Sequence, residues 1–89
     1  MSTKDILEIR EKTHGDFSQN AMCSQKLKNT IKSFSNENEH KFTPCQREAL
    51  DMICSKVARI CVGDTHEVDH WVDIAGYATL VVRDMAIAK

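Results

Sequence analysis

Apolar residues recur along this chain every three to four positions, and no stretch alternates apolar with polar for any length. The first of these periods marks helices; the second would mark strands. Ser2 or Thr3 caps a first helix that carries Ile6, Leu7 and Ile9 and runs to about Thr13. His14-Gly15 breaks it, with Gly15 suited to the position just past a helix end. Asp16 caps a second helix, and Gln19 three residues later completes a capping-box pattern. Phe17, Ala21, Ser24, Leu27, Ile31 and Phe34 repeat at helical spacing along it, to about Ser35.

A polar run over residues 36–41 reads as a loop. Thr43-Pro44-Cys45-Gln46 then starts a third helix: Thr43 caps, Pro44 takes the first helical position, and Gln46 reaches back. Its apolar face holds Leu50, Ile53, Cys54, Val57, Ile60 and Cys61, and Gly63 ends it. Asp64, with Glu67 three later, caps a fourth helix that runs almost to the end. The expected fold is all-α: one domain over residues 1–89, four helices, the last two forming a long antiparallel hairpin.

The fourth helix carries the densest chemistry. Asp69, Asp73 and Tyr77 follow one another at i, i+4 and share a face. Trp71, Ile74, Ala75, Ala78, Val81, Val82 and Met85 form an apolar stripe expected to face the core. Gly76 sits between them. Glycine inside a helix costs about 1 kcal/mol against alanine, so it marks close packing or a site more often than chance. Val68, Val72, Leu80 and Ile87 lie off the stripe. A helix apolar nearly all round wants cover on two sides, so a dimer or higher homo-oligomer is expected.

Composition narrows the function. A domain of 89 residues buries little of its surface alone. The net charge is −1, with both signs interspersed. No basic block appears, which argues against nucleic acid as a partner. No apolar run is long enough for a membrane span or a signal peptide. A cytosolic location in the host cell is therefore expected. Cys23, Cys45, Cys54 and Cys61 form no C-x-x-C pair and read as reduced, mostly buried thiols.

Three constellations carry candidate chemistry. Glu48-x-x-Asp51 on helix three is followed by Lys56 and Arg59. His70-x-x-Asp73, with Asp69 before it, lies on helix four. Acids converging from neighbouring helices are how a bundle holds Mg²⁺, and Lys56 and Arg59 would meet phosphates. The plain alternative, favoured by spacing alone, is a set of surface ion pairs worth a few tenths of a kcal/mol each. The third constellation is the turn from Arg10 to Phe17. It gathers a cation, an imidazole and a carboxylate at the start of helix two, where free N–H groups attract anions. Its plain reading is a helix stop, a helix cap and a solvated histidine.

Three segments together resemble a family of small phage- and prophage-encoded helical proteins. They are Arg10…Thr13-His14-Gly15-Asp16-Phe17; Ala49-Leu50-Asp51-Met52-Ile53 with Lys56-Val57-Ala58-Arg59-Ile60 and Gly63; and Asp69-His70-Trp71-Val72-Asp73-Ile74-Ala75-Gly76-Tyr77-Ala78. More distantly the pattern is similar to the MazG-like all-α nucleoside triphosphate pyrophosphatases. Those carry E-E-x-x-E on one helix and E-x-x-D on a later one, and bind Mg²⁺. Two departures stand out: Arg47 replaces the acid before Glu48, and His70 replaces the first acid of the second motif.

The resemblance implies a nucleotide-binding protein of phage origin that sequesters a linear or cyclic nucleotide signal of host defence without turnover and without a cofactor. Its ligand-binding set would be His14, Asp16, Lys56, Arg59, Asp69, His70, Trp71, Asp73 and Tyr77. Two other readings stay open. A Mg²⁺-dependent pyrophosphatase would use Glu48, Asp51, Asp69 and Asp73 as metal ligands. A structural or host-protein-binding adaptor would use none of these residues chemically.

Overall fold

The computed structural model describes residues 2–88. All regular structure among them is helical: α1 (Thr3–His14), α2 (Phe17–Ser35), α3 (Pro44–Val62) and α4 (Val68–Ala88), with a 3₁₀ turn at Glu39–Lys41 before α3. The caps form largely as the side chains dictate. Ser2 accepts from the Asp5 N–H while Asp5 reaches back, and Thr43 and Gln46 do the same for α3. Asp16 accepts the Gln19 N–H at 3.0 Å, but Gln19 does not reach back, so α2 has half of its expected box.

Two starts differ from expectation. The loop over residues 36–41 contains the 3₁₀ turn, which Arg47 ties to α3 by hydrogen bonds to the Glu39 carboxylate (2.9 Å) and carbonyl (2.6 Å). Arg47, which stands where the pyrophosphatase pattern has an acid, is thus a clamp on this loop. Asp64 does not cap α4. Its carboxylate accepts the His66 N–H at 2.8 Å, an Asx turn that delays the helix to Val68. Glu67 takes over, accepting the Asp69 N–H at 3.4 Å.

α3 is the central helix, packed between α2 and α4, and α1 lies against α2 and α3. Its buried residues explain the position: Ala49, Cys54, Ala58 and Ile60. Alanines let neighbouring helices approach closely. Ser24 of α2 is buried against Ser55 of α3, their hydroxyls 3.4 Å apart, and Lys28 donates to Ser55 at 3.2 Å. The four cysteines are free; Cys54 is buried, and burial raises its thiol pKa above the ordinary 9.0.

The α1–α2 turn and the α3–α4 turn meet backbone to backbone. Asp64 N–H donates to the Thr13 carbonyl at 3.2 Å. Gly15 has φ 83°, a region where side chains are strained. A β-carbon at Gly15 would lie 2.7 Å from the Val62 carbonyl, and one at Gly63 would lie 2.5 Å from the His14 carbonyl carbon. Only glycine fits on either side of this contact.

α4 is turned over from its expected orientation. His70, Asp73, Ile74, Tyr77 and Val81 are its buried or half-buried residues, so its polar side packs toward α3. Only Ile74 and Val81 of the expected core stripe share that burial; Trp71 is 54% exposed, and Val82 and Met85 are exposed too. The cause is polar pairing. Lys56 holds Asp73 at 2.8 Å and His70 docks on His14, which fixes the rotation of the helix. The indole N–H of Trp71 donates to the Thr65 carbonyl at 3.2 Å. Likewise Phe17 and Phe34, expected on the buried face of α2, are 83% and 87% exposed at its two ends. Gly76 has nothing within 4 Å of where its β-carbon would stand, so no packing inside the protomer requires it. No helix among the described residues is long and apolar enough to cross a membrane.

The glycine contact yields the first prediction. Gly63→Ala forces backbone apart and is expected to destabilise by about 1–3 kcal/mol, or roughly 4–8 °C of melting temperature per kcal/mol. Gly76→Ala meets no such obstacle within the protomer. A Gly63→Ala variant that melts with the wild type in a thermal scan would contradict the backbone contact.

Candidate functional site

The glycine contact holds the end of α1 over the start of α4, and this places His14 on His70. The His14 Nδ1 and His70 Nε2 atoms are 3.2 Å apart, and their ring centres 4.9 Å. His70 is 1% exposed. The Thr13 carbonyl lies 3.4 Å from the same Nε2. A proton on His70 Nε2 therefore satisfies both neighbours, because a bare nitrogen there would face a carbonyl lone pair. His14 then accepts at Nδ1 and carries its own proton on Nε2. His70 Nδ1 is left buried without a partner.

In front of this pair is a cavity of about 600 Å³, within the size range of small-molecule sites. It is lined from α1, α2, α3 and the turn between the first two. Arg10 and His14 come from α1, four residues apart and so on one face. Asn20 and Ser24 come from α2 at the same spacing. Arg59 and Ser55 come from α3, again four apart.

The cavity is lined by two arginines and two carboxylates, and neither arginine is in a salt bridge. The salt bridges among the described residues are Arg47–Glu39 and Lys56–Asp73, so neither Arg10 nor Arg59 is paired. Glu11 and Asp16 also line the space, both exposed, and Asp16 is already engaged with the Gln19 N–H. The expected anion site at the bare end of α2 is thus filled in part by the chain's own carboxylate. Asn20 donates to the His14 carbonyl, and its Oδ1 is buried without a partner, an acceptor left over beside the cavity.

Two groups at this corner have shifted titrations. His14 has its pKa lowered from the ordinary 6.5, first by burial, then by Arg59, His70, Arg10 and Lys56. Asp73 is held below the ordinary 3.8 chiefly by the hydrogen bond from Lys56, against an opposing effect of burial.

Of the residues singled out in the sequence, His14, Asp16 and Arg59 line the cavity. His70 stands directly behind His14, and Lys56 and Asp73 pair with each other nearby. Asp69, Trp71 and Tyr77 do not line the cavity; they belong to α4, which packs on α3 and supplies none of its wall. Among the described residues no three His, Cys, Asp or Glu side chains converge, so Glu48, Asp51, Asp69 and Asp73 form no ready cage for Mg²⁺ within one protomer. Arg10 and Phe17, named in the third constellation but not in the expected ligand set, also line the cavity, and Asn20, Ser24, Gln25 and Ser55 join them without having been singled out. Their signal was present: Arg10–His14, Asn20–Ser24 and Ser55–Arg59 are three i, i+4 pairs, one on each helix.

The histidine gives a pH dependence with a definite sign. Unfolded chains bind a proton at His14 near pH 6.5, while the folded chain does so only at lower pH. Between those values the unfolded state holds more protons. Stability is therefore complete above the unfolded value and falls as the pH drops through it. Asp73 adds its own loss only further down, as the pH falls through the carboxylate range. The melting temperature is expected to fall between about pH 7.5 and 5.5, and His14→Asn is expected to flatten that fall. An equal slope in both proteins would contradict the assignment.

A family model described as a domain of unknown function (DUF6378) matches residues 2–84. No curated protein and no solved structure matches the chain. With nearly every residue inside the matched span, from the capping serine of α1 to the last turns of α4, the chain belongs to the DUF6378 family.

Proposed function

We propose that the protein binds a phosphorylated small molecule, a nucleotide by preference, in the cavity between α1, α2 and α3, and that it does so without turnover. The observation that carries this reading is Arg59: a half-buried arginine that lines a cavity and makes no salt bridge. A guanidinium facing a cavity without a salt-bridge partner keeps its donors free for an incoming anion. Its planar fork suits phosphate oxygens, and Arg10 adds a second. The His14 Nε2–H supplies a neutral donor. Phe17, exposed beside the cavity, offers a stacking face in place of Trp71 or Tyr77.

Hydrolysis is the second reading. It needs acids free to hold Mg²⁺, and the 2.8 Å pair with Lys56 commits Asp73 elsewhere. This favours binding alone. The MazG-like resemblance then describes a shared helical plan carrying a different site. The resemblance to phage-encoded helical proteins gives the binding a role, the withholding of a nucleotide signal from host defence.

Thermal shift against ATP, a cyclic dinucleotide and inorganic pyrophosphate tests this, each in Mg²⁺ and in EDTA. A ligand at 100 times its dissociation constant adds about 2.7 kcal/mol, or roughly 10–20 °C for a domain this small. Arg59→Ala is expected to melt within a few degrees of the wild type and to lose that shift. The shift is expected to survive EDTA, and the ligand to be recovered unchanged. A shift that persists in Arg59→Ala contradicts the site. Conversion of ATP to monophosphate and pyrophosphate, stopped by Asp73→Asn, establishes the enzyme instead.

A further inference from the structure

The side of α4 that looks away from α3 is its least polar. Val68, Val72, Ala75, Gly76, Thr79 and Val82 follow one another there at helical spacing, all exposed. Arg83 is the charged exception among the described residues of that face. The Thr79 hydroxyl donates to the Ala75 carbonyl at 2.8 Å, so it adds no unpaired donor. The outward sides of α1 and α2 are different: Lys4, Glu8 and Lys12, and Lys26 and Lys32, keep them solvated.

The protomer is also too open for its mass. Its accessible surface is 6694 Å², against about 5,300 Å² for a compact monomer of 10.1 kDa. Its radius of gyration is 15.2 Å, against about 12 Å for a compact chain of this length. The excess is about 1,400 Å² per protomer, and twice that lies within the range of about 2,000–5,000 Å² buried by obligate dimers.

We infer that the chain is a homodimer in which α4 of one protomer packs across α4 of its partner, crossing at Gly76. The surplus surface belongs to every copy, so a partner present in equal amount must cover it, and a second copy is that partner. A face on which Arg83 is the one charge among the described residues offers little for a charged partner to match. A face with its smallest residues near the middle of the helix is complementary to itself about a two-fold axis. Gly76, which nothing in the protomer requires, is where two backbones meet most closely.

Light scattering across a concentration series, with a melting curve at each point, tests this on the full chain. The wild type is expected to be a dimer at micromolar concentration, with a melting temperature that rises with concentration. Thr79→Glu touches no other element of the protomer and is expected to give monomer. Should that variant not fold, Gly76→Ala decides. In an isolated protomer the alanine raises the melting temperature, because the site is open and the helix gains; at a tight crossing it weakens the dimer by tenfold or more. A wild-type monomer with a concentration-independent melting temperature overturns the proposal. So does a dimer that Thr79→Glu leaves intact, or one that Gly76→Ala strengthens.

Discussion

Everything that distinguishes this fold from a loose set of helices depends on one contact, the meeting of the Gly15 and Gly63 backbones. Two helix-ending glycines lie against each other so closely that neither tolerates a β-carbon. The contact forces α1 to end over the beginning of α4. From it follow the Asp64–Thr13 hydrogen bond, the stacking of His14 on His70, and the burial of His70. It also sets the rotation of α4, because a buried histidine and the Lys56–Asp73 pair must both point inward.

That rotation links the interior to the outside. Polar pairing at the corner points one side of α4 toward α3 and leaves the opposite, apolar side bare. Hydrophobic burial alone would favour the reverse. The pairing prevails because His70 and Asp73 have specific partners at the corner, and because the four helices leave no further element to cover a second face of α4. The same corner aligns Arg10, His14 and Arg59 around a space in which neither arginine has a salt-bridge partner, an arrangement that suits anion recognition.

Much of the fold was legible in the sequence because its signals are local. Ser2, Asp16, Thr43 and Pro44, Gly15 and Gly63 mark helix ends through hydrogen bonds and backbone geometry within a few residues. Periodicity established the helices but could not say which face of α4 the protomer uses, since the stripe through Trp71 is apolar whether it meets this chain or another. The start of α4 was misplaced for a related reason: Asp64 can cap a helix or close an Asx turn, and the chain's return to Thr13 selects the turn. For the candidate site, His14, Asp16 and Arg59, singled out from charge and turn chemistry, line the cavity. Asn20, Ser24 and Ser55 were not legible because their convergence depends on how the helices pack. Trp71 and Tyr77, six apart on α4, lie outside the lining of this cavity.

The central claim is that the Arg10–His14–Arg59 cavity receives an anion. Titrating isotope-labelled protein with inorganic pyrophosphate, while following the arginine Nε–H and histidine ring signals by NMR, tests it most directly. The account predicts saturable shifts at Arg10, Arg59 and His14, with His70 following through its contact with His14. Shifts confined to the exposed lysines, or none that saturate, would contradict it.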